Sequence, residues 1–191
     1  MIVRIDNNNN YVLSENVNVA MQHFPNNNVI NVQNINHAPI RINPRDGIVY
    51  IFTHGDENTV GFYDVNSLSN LFENPAGKTF VLISCKSGIN RSITGTFAEN
   101  FAKKNHCRVL APMGCSVFSE NGVAVIPESE VNKYIELQQA FEDAVIQLRD
   151  VPNKMFNACF NDDKCFAVKW NVLNSIDQLK GYGFLDIDAR P

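Results

Sequence analysis

The sequence lacks long apolar runs and has little excess charge of either sign. No stretch approaches the ~20 apolar residues that a transmembrane helix needs, and the first six residues lack the apolar core of a secretory signal. The net charge of -4 provides no basic patch for nucleic acid or for an acidic membrane. We therefore expect no membrane span and no nucleic-acid partner. We also expect a protein made in the cytosol, which stays there or is exported without a signal peptide.

Closely spaced cysteine pairs are absent too. The five cysteines are Cys85, Cys107, Cys115, Cys159 and Cys165. An odd number without a framework spacing indicates free thiols in a reducing compartment rather than disulfides. The closest two are separated by five residues, which is not the spacing of a Cys-x-x-Cys zinc site. We expect neither a metal nor a cofactor.

A chain of 191 residues suits a single domain with a sizeable core. Residues 1–45 are rich in asparagine, a turn-forming residue. They predict a β-hairpin formed by residues 3–5 and 11–13, and an edge strand within residues 29–35. Residues 46–127 contain the central part of the fold. Residues 128–191 predict C-terminal helices, the clearest of them over residues 129–149.

Strands and helices alternate through the central part. Short apolar runs rich in β-branched and aromatic residues predict buried strands at residues 48–52, 80–83 and 109–111. Helical spacing predicts a helix over residues 65–72, before Pro75, and a second helix over residues 93–102. This order favours an α/β fold with a mostly parallel sheet and helices on its faces.

Two of these strands end in a reactive residue. The first is followed by Thr53-His54-Gly55 and the second by Ser84-Cys85. Because ligands bind beyond the carboxyl ends of parallel strands, His54 and Cys85 are expected at one edge of the sheet, within about 4–7 Å of each other at rest. A Cys–His pair is the arrangement of a thiol nucleophile and its base. The amides of Gly55 and Cys85 are candidate donors to an oxyanion.

These segments resemble the signatures of the caspase–clostripain superfamily of cysteine peptidases. One hydrophobic block ends in His54-Gly55 and the next ends in Cys85, and residues 97–112 are similar to bacterial caspase-like domains, including CHAT domains and the self-cleaving domains of large toxins. The resemblance covers residues 47–127. It implies a caspase-like three-layer sandwich, a His–Cys dyad, and cleavage of a polypeptide substrate by a peptidase, a self-processing domain or a bacterial effector.

The resemblance also indicates a substrate pocket. In the family, the strand that leads to the cysteine and the loop after the next strand build it, and caspases place Gln two residues before the cysteine. Here that position is Ile83, and the loop supplies Met113 and Ser116. Because a buried charge needs a partner, we expect an apolar or small residue at the cleaved position, unless Asp56 or Glu120 enters the pocket and selects Lys or Arg.

Two other interpretations use the same region. Cys85 and Arg91, followed by Ser92, fit the Cys-x5-Arg signature of protein tyrosine phosphatases, with Asp56 as the general acid. Such a loop holds phosphate with its amides and its arginine. The third interpretation is a non-catalytic binding module on the same fold, because a fold alone does not establish an activity.

Overall fold

The computed structural model describes residues 1–6, 17–18, 20–22, 28–90, 93–119, 122–133, 136, 179 and 183–191. Six strands form its central sheet, in the order β10-β7-β6-β4-β1-β2. Their bounds are β1 Ile2–Ile5, β2 Val29–Val32, β4 Ile48–Phe52, β6 Thr79–Ile83, β7 Arg108–Pro112 and β10 Phe184–Asp188. All neighbours pair in parallel except β10, which runs antiparallel to β7. The expected α/β class with a mostly parallel sheet is confirmed.

The three apolar runs predicted as strands are β4, β6 and β7, at the centre of this sheet. Every residue of β6 is buried, and so are four of the five residues in both β4 and β7. Strands covered on both faces need apolar side chains at successive positions, which explains the continuous runs.

Two helices pack on one face of the sheet. Helix α1 (Val65–Asn70) begins after Asp64, whose side chain accepts a hydrogen bond from the Ser67 amide, and α2 (Phe97–Asn105) begins with a capping box between Thr96 and Glu99. Phe101 of α2 packs edge-on against Phe80 of β6, with 5.2 Å between the ring centroids. Burial of one such side chain contributes about 1.5–3 kcal/mol.

The opposite face carries a second apolar cluster. It contains Phe52, Val81, Ile83 and Leu110 from the sheet, together with residues from outside it. Those outside the sheet include Val17, Ala20, Val123 and Leu179.

Two small ladders and a 3-10 turn complete the described elements. Strand β3 (Ile40–Arg41) pairs in parallel with β5 (Phe72–Glu73). Strands β8 (Gly114–Ser119) and β9 (Gly122–Pro127) form an antiparallel hairpin directly after β7, and the 3-10 turn Glu128–Glu130 follows it. No helix among the described residues is long and apolar enough to cross a membrane.

The amino-terminal region differs from its prediction. Strand β1 has a parallel neighbour on each side, β2 and β4, so neither edge is left for the expected hairpin partner. Residues 11–13, the expected partner, lie outside the described residues. The predicted edge strand is confirmed as β2, which is the last strand of the sheet.

The predicted helices begin or end at different residues. Phe72 is in β5 rather than in α1, because the chain leaves the helix at Leu71 to pair with β3. Ile93 is exposed before α2 begins at Phe97, since the Thr96 cap starts the helix there. Residues 131–133 and 136 are helical, and the rest of the expected helix over 129–149 lies outside the described residues.

Strand β10 lies in the carboxyl-terminal region, where helices were expected over residues 128–191. Apolar and acidic residues alternate in this segment, and the charge of one acidic residue is compensated within the sheet. Asp186 forms a two-pronged ion pair with Arg108 of β7, with both N···O distances 2.9 Å. Both side chains are largely buried, so the pair joins β10 to the sheet.

We predict that Asp186→Asn destabilises the protein by about 1–3 kcal/mol, because it leaves the largely buried Arg108 charge without its carboxylate. The midpoint of urea unfolding measures this loss. The matched control is Asp188→Asn, which removes an exposed carboxylate whose partner Arg190 is two residues away. An equal loss of stability in both variants would show that the Arg108–Asp186 ion pair contributes no more to the free energy of unfolding than the exposed pair does.

Candidate active site at the carboxyl edge of the sheet

His54 and Cys85 leave the sheet side by side. Strands β4 and β6 pair in parallel up to Phe52 and Ile83, and the Thr53 amide donates a further hydrogen bond, 3.2 Å, to the Ile83 carbonyl. Each candidate residue is two positions beyond its paired residue. The prediction that they follow neighbouring parallel strands is therefore confirmed.

The segment around His54 is fixed by its backbone while its side chain stays exposed. The Thr53 hydroxyl donates to the Ile5 carbonyl at 2.8 Å, and the His54 carbonyl accepts from the Gly61 amide at 2.7 Å. Within the described residues the imidazole has no hydrogen-bond partner. It is therefore an accessible imidazole on a well-anchored backbone.

Gly55 brings this segment against the cysteine turn. A β-carbon at position 55 would lie 3.1 Å from Cβ of Ser84 and 2.9 Å from the Thr59 carbonyl oxygen. Only glycine permits this approach without displacement of its neighbours. The chain beside His54 thus contacts the residue that precedes Cys85.

Cys85 sits in a tight turn that is anchored to the following strands. The Lys86 amide donates to the Gly114 carbonyl at 2.7 Å, and the Gly88 amide donates to the Pro112 carbonyl at 3.0 Å. Lys86 has a φ of 60°, a left-handed conformation that costs a non-glycine residue about 1–2 kcal/mol. The two backbone hydrogen bonds offset this cost.

Two buried serines of the cysteine turn are hydrogen-bonded to each other. The Ser84 hydroxyl donates to the Ser87 hydroxyl at 3.2 Å, and both side chains are inaccessible to solvent. The Ser87 carbonyl accepts a hydrogen bond from the Ala98 amide in the first turn of α2. The cysteine turn is therefore held by β7, β8 and α2 together.

The surroundings of Cys85 favour its thiolate. A hydrogen bond from the Cys115 thiol is the largest influence and lowers the pKa of Cys85, while partial burial opposes it. The Ser116 amide and hydroxyl and the Lys86 charge lower the pKa further. The same contact and burial raise the pKa of Cys115, which remains a protonated donor. Sequence reasoning did not identify Cys115 as a partner of Cys85.

The two expected oxyanion donors remain available. Among the described residues, no group accepts a hydrogen bond from the amide of Gly55 or of Cys85. Buried or half-buried amides normally have a partner. Two N–H groups without a described acceptor thus lie on segments that contact each other.

The residues expected around the substrate occupy different environments. Ile83 is only 5% exposed and packs in the second apolar cluster, so it offers a substrate little surface. Met113 is 45% exposed, and Ser116 is half-buried with hydrogen bonds to Cys85. Ser116 thus contacts Cys85, whereas Met113 is open to solvent.

The carboxylate of Asp56 stabilises its own loop. Its Oδ1 accepts hydrogen bonds from the amides of Asn58 and Thr59, each 2.7 Å, and from the Thr59 hydroxyl. Partial burial would raise the pKa of Asp56, but these hydrogen bonds and the Lys86 charge hold it below its usual value. It is an ionised loop cap close enough to the cysteine turn to be influenced by Lys86. Arg91, Ser92 and Glu120 lie outside the described residues.

No family model, curated protein or solved structure matches this chain. Within the described residues, no cluster of three or more His, Cys, Asp and Glu side chains has the arrangement of a metal site.

We predict that Gly88→Ala lowers both the reactivity of Cys85 and the stability of the fold, by about 1–3 kcal/mol for the latter. A β-carbon at position 88 would lie 2.7 Å from the Ala111 carbonyl oxygen and would push the turn away from β7. Gly47→Ala is the matched control, because a β-carbon there has no neighbour within 4 Å. Urea unfolding and the rate of iodoacetamide labelling measure the two effects, and equal behaviour of the two variants would contradict the prediction.

We also predict that Cys85 is alkylated at lower pH than an ordinary cysteine. The thiolate, which is the reactive form, persists down to the lowered pKa and is lost as the pH falls through it. Cys115→Ala should raise the midpoint of this profile, whereas His54→Ala should leave it nearly unchanged, because the stabilising groups are Cys115, Ser116 and Lys86. Mass spectrometry after brief iodoacetamide labelling across a pH series measures the midpoint. A large shift in His54→Ala alone would show that His54 holds the thiolate at rest.

Proposed function

We propose that this protein is a cysteine peptidase of the caspase–clostripain kind, built as a caspase-like sandwich, with Cys85 as nucleophile and His54 as acid and base. The observation that carries the proposal is the parallel register of β4 and β6, which releases both residues at one edge of the sheet. The contact of Gly55 with Ser84 and the lowered pKa of Cys85 support it.

The reaction follows from these positions. The Cys85 thiolate attacks the carbonyl carbon of the scissile peptide bond, and the negative oxygen is bound by the amides of Gly55 and Cys85. His54 in its protonated form gives a proton to the leaving amine as the carbon–nitrogen bond breaks. Neutral His54 then removes a proton from water, which hydrolyses the thioester and releases Cys85.

In this site, groups other than His54 stabilise the thiolate of Cys85. At rest the thiolate is stabilised by Cys115 and Ser116, and the His54 ring is exposed. His54 is therefore needed for the leaving group and for the water, rather than for the activation of the thiol. We propose that a bound substrate brings the imidazole onto the scissile nitrogen.

The phosphatase alternative requires the amides of the Cys85 turn to face a phosphate. The Lys86 and Gly88 amides instead donate to the carbonyls of Gly114 and Pro112, and the Ile89 amide donates to the Lys86 carbonyl. Three amides that would cradle the anion are thus used within the protein. The hydrogen bonds that Asp56 accepts in its own loop also favour a structural role for its carboxylate over that of a general acid.

A binding module would not need this arrangement. A depressed thiol pKa needs dedicated partners, which a purely structural surface does not require. It serves a nucleophile, and it favours the enzyme over the non-catalytic alternative.

Cys85→Ala should abolish peptide hydrolysis, and His54→Ala should lower it by about 10²–10⁴-fold, with folding retained in both. Both side chains lie beyond strand ends rather than inside the apolar clusters. The measurement is cleavage of a fluorogenic peptide library, with circular dichroism as the folding control. Full activity in either variant, at equal concentration of folded protein, would contradict the proposal that Cys85 and His54 form a catalytic dyad.

Arg91→Ala separates the peptidase from the phosphatase. We predict little change in peptide hydrolysis and no hydrolysis of a phosphotyrosine mimic by the unmodified protein. Rapid phosphate release that is lost in Arg91→Ala would reverse the assignment, because a phosphatase needs the two-pronged contact that arginine makes with phosphate.

The same peptide library tests specificity. The carboxylate of Asp56 is already bonded in its loop, and Met113 presents an exposed apolar side chain next to the site. We propose an apolar or small residue before the scissile bond. A strict requirement for Asp or Glu at that position would contradict this part of the proposal.

A further inference from the structure

Cys85 and Cys115 lie on two segments that backbone hydrogen bonds join. The Lys86 amide, next to Cys85, donates to the carbonyl of Gly114, next to Cys115, and the Gly88 amide donates to the Pro112 carbonyl. The thiol of Cys115 is hydrogen-bonded to the sulfur of Cys85. The backbone hydrogen bonds of their neighbours thus hold the two cysteines close together.

This placement suits a disulfide. Two thiols in hydrogen-bond contact, on segments that backbone hydrogen bonds join, need little movement to reach the α-carbon separation of about 4.4–6.8 Å that a disulfide spans. Gly114 keeps the segment close to β9, since a β-carbon there would lie 2.0 Å from the Ile126 carbonyl oxygen. Both cysteines are free thiols and half-buried, so a small oxidant can reach them.

We propose that Cys85 and Cys115 form a reversible redox pair, in which a hydroperoxide oxidises Cys85 and Cys115 resolves it to a disulfide. The Cys85 thiolate attacks the peroxide oxygen, so an S–O bond forms as the O–O bond breaks and hydroxide leaves. The Cys115 sulfur then attacks the sulfenic acid, so the S–S bond forms as the S–O bond breaks. The Cys115 proton leaves with the hydroxide as water, and a dithiol reverses the reaction by exchange.

The different surroundings of Cys85 and Cys115 decide which of them attacks the peroxide and which resolves the sulfenic acid. Cys85 has the charged and polar neighbours, Lys86 and Ser116, that favour a thiolate, whereas Cys115 is held as a protonated donor. Cys107 is fully buried at the start of β7, and its burial raises its pKa to about 12, so it is not a competitor for the oxidant. The first attack on peroxide therefore falls to Cys85.

The disulfide would occupy the nucleophile and would protect it from irreversible oxidation. This consequence rests on the proposed peptidase function, whereas the disulfide itself does not. The reduced protein would be the active form, and hydroperoxide would switch it off until a dithiol restores it.

The test treats the folded, full-length protein with a small excess of hydrogen peroxide, blocks free thiols with N-ethylmaleimide, and maps peptides without reduction. We expect a peptide pair joined through Cys85 and Cys115, a mass lower by about 2 Da for the loss of two hydrogens, and full reversal by dithiothreitol. The unmodified protein gives this result without any substitution, so it does not depend on whether a variant folds. The absence of the linked pair, or a Cys85 linked to Cys159 or Cys165, would overturn the proposal.

Two variants extend the test. In Cys115→Ser we expect no disulfide-linked peptide pair. Instead, Cys85 should gain oxygen atoms stepwise, and dithiothreitol should not reverse the oxidation once Cys85 has become a sulfinic acid. Cys107→Ser is the matched control and should form the Cys85–Cys115 link as the unmodified protein does. If the reversible disulfide forms but the protein hydrolyses no peptide, only the proposed peptidase function is rejected. If the protein hydrolyses peptides but the disulfide does not form, only the proposed redox pair is rejected. Reversible oxidation of Cys85 in Cys115→Ser to the same extent as in the unmodified protein would contradict the role of Cys115.

Discussion

The hydrogen bond from the Thr53 amide to the Ile83 carbonyl continues the parallel pairing of β4 and β6 to the last residue before the site. It fixes where both chains leave the sheet, and so it fixes the common edge from which His54 and Cys85 project. Both strands are buried in apolar clusters on their two faces. Because a slip by one residue would turn each side chain to the opposite face, the core resists any other register. The position of the site is thus set by the packing of the sheet.

Beyond the sheet, the site depends on close approaches that only glycine allows. Gly55 contacts Ser84, Gly88 contacts the end of β7, and Gly114 contacts β9. The turn that contains Lys86 donates to two backbone carbonyls, and the amide of Cys85 has no acceptor among the described residues. In the proposed function, a rigid sheet and tightly packed turns would preorganise the amides that bind the oxyanion, as flexible loops would not.

The central strands could be predicted from the sequence because a buried parallel strand has a distinctive pattern, a short apolar run bounded by turn residues. The residues His54 and Cys85 were recognisable for the same reason, since each follows such a run. Strand β10 was missed because its acidic residues suggest solvent, whereas Asp186 is paired with Arg108. The contact of Cys85 with Cys115 was missed because it depends on how the chain returns after β7, and residue spacing carries no signal for that. The expected pocket position Ile83 is buried because the strand's alternation directs it to the core.

The most direct test of the account is a crystal structure of the protein inhibited by a peptide aldehyde, which forms a thiohemiacetal that mimics the tetrahedral intermediate. We predict a covalent bond to Sγ of Cys85, with the hemiacetal oxygen about 2.7–3.1 Å from the amides of Gly55 and Cys85. We also predict the His54 ring within hydrogen-bond reach of the side on which the leaving group would depart. An aldehyde bound to Cys85 whose oxygen faces away from both amides, with His54 directed into solvent, would contradict the account.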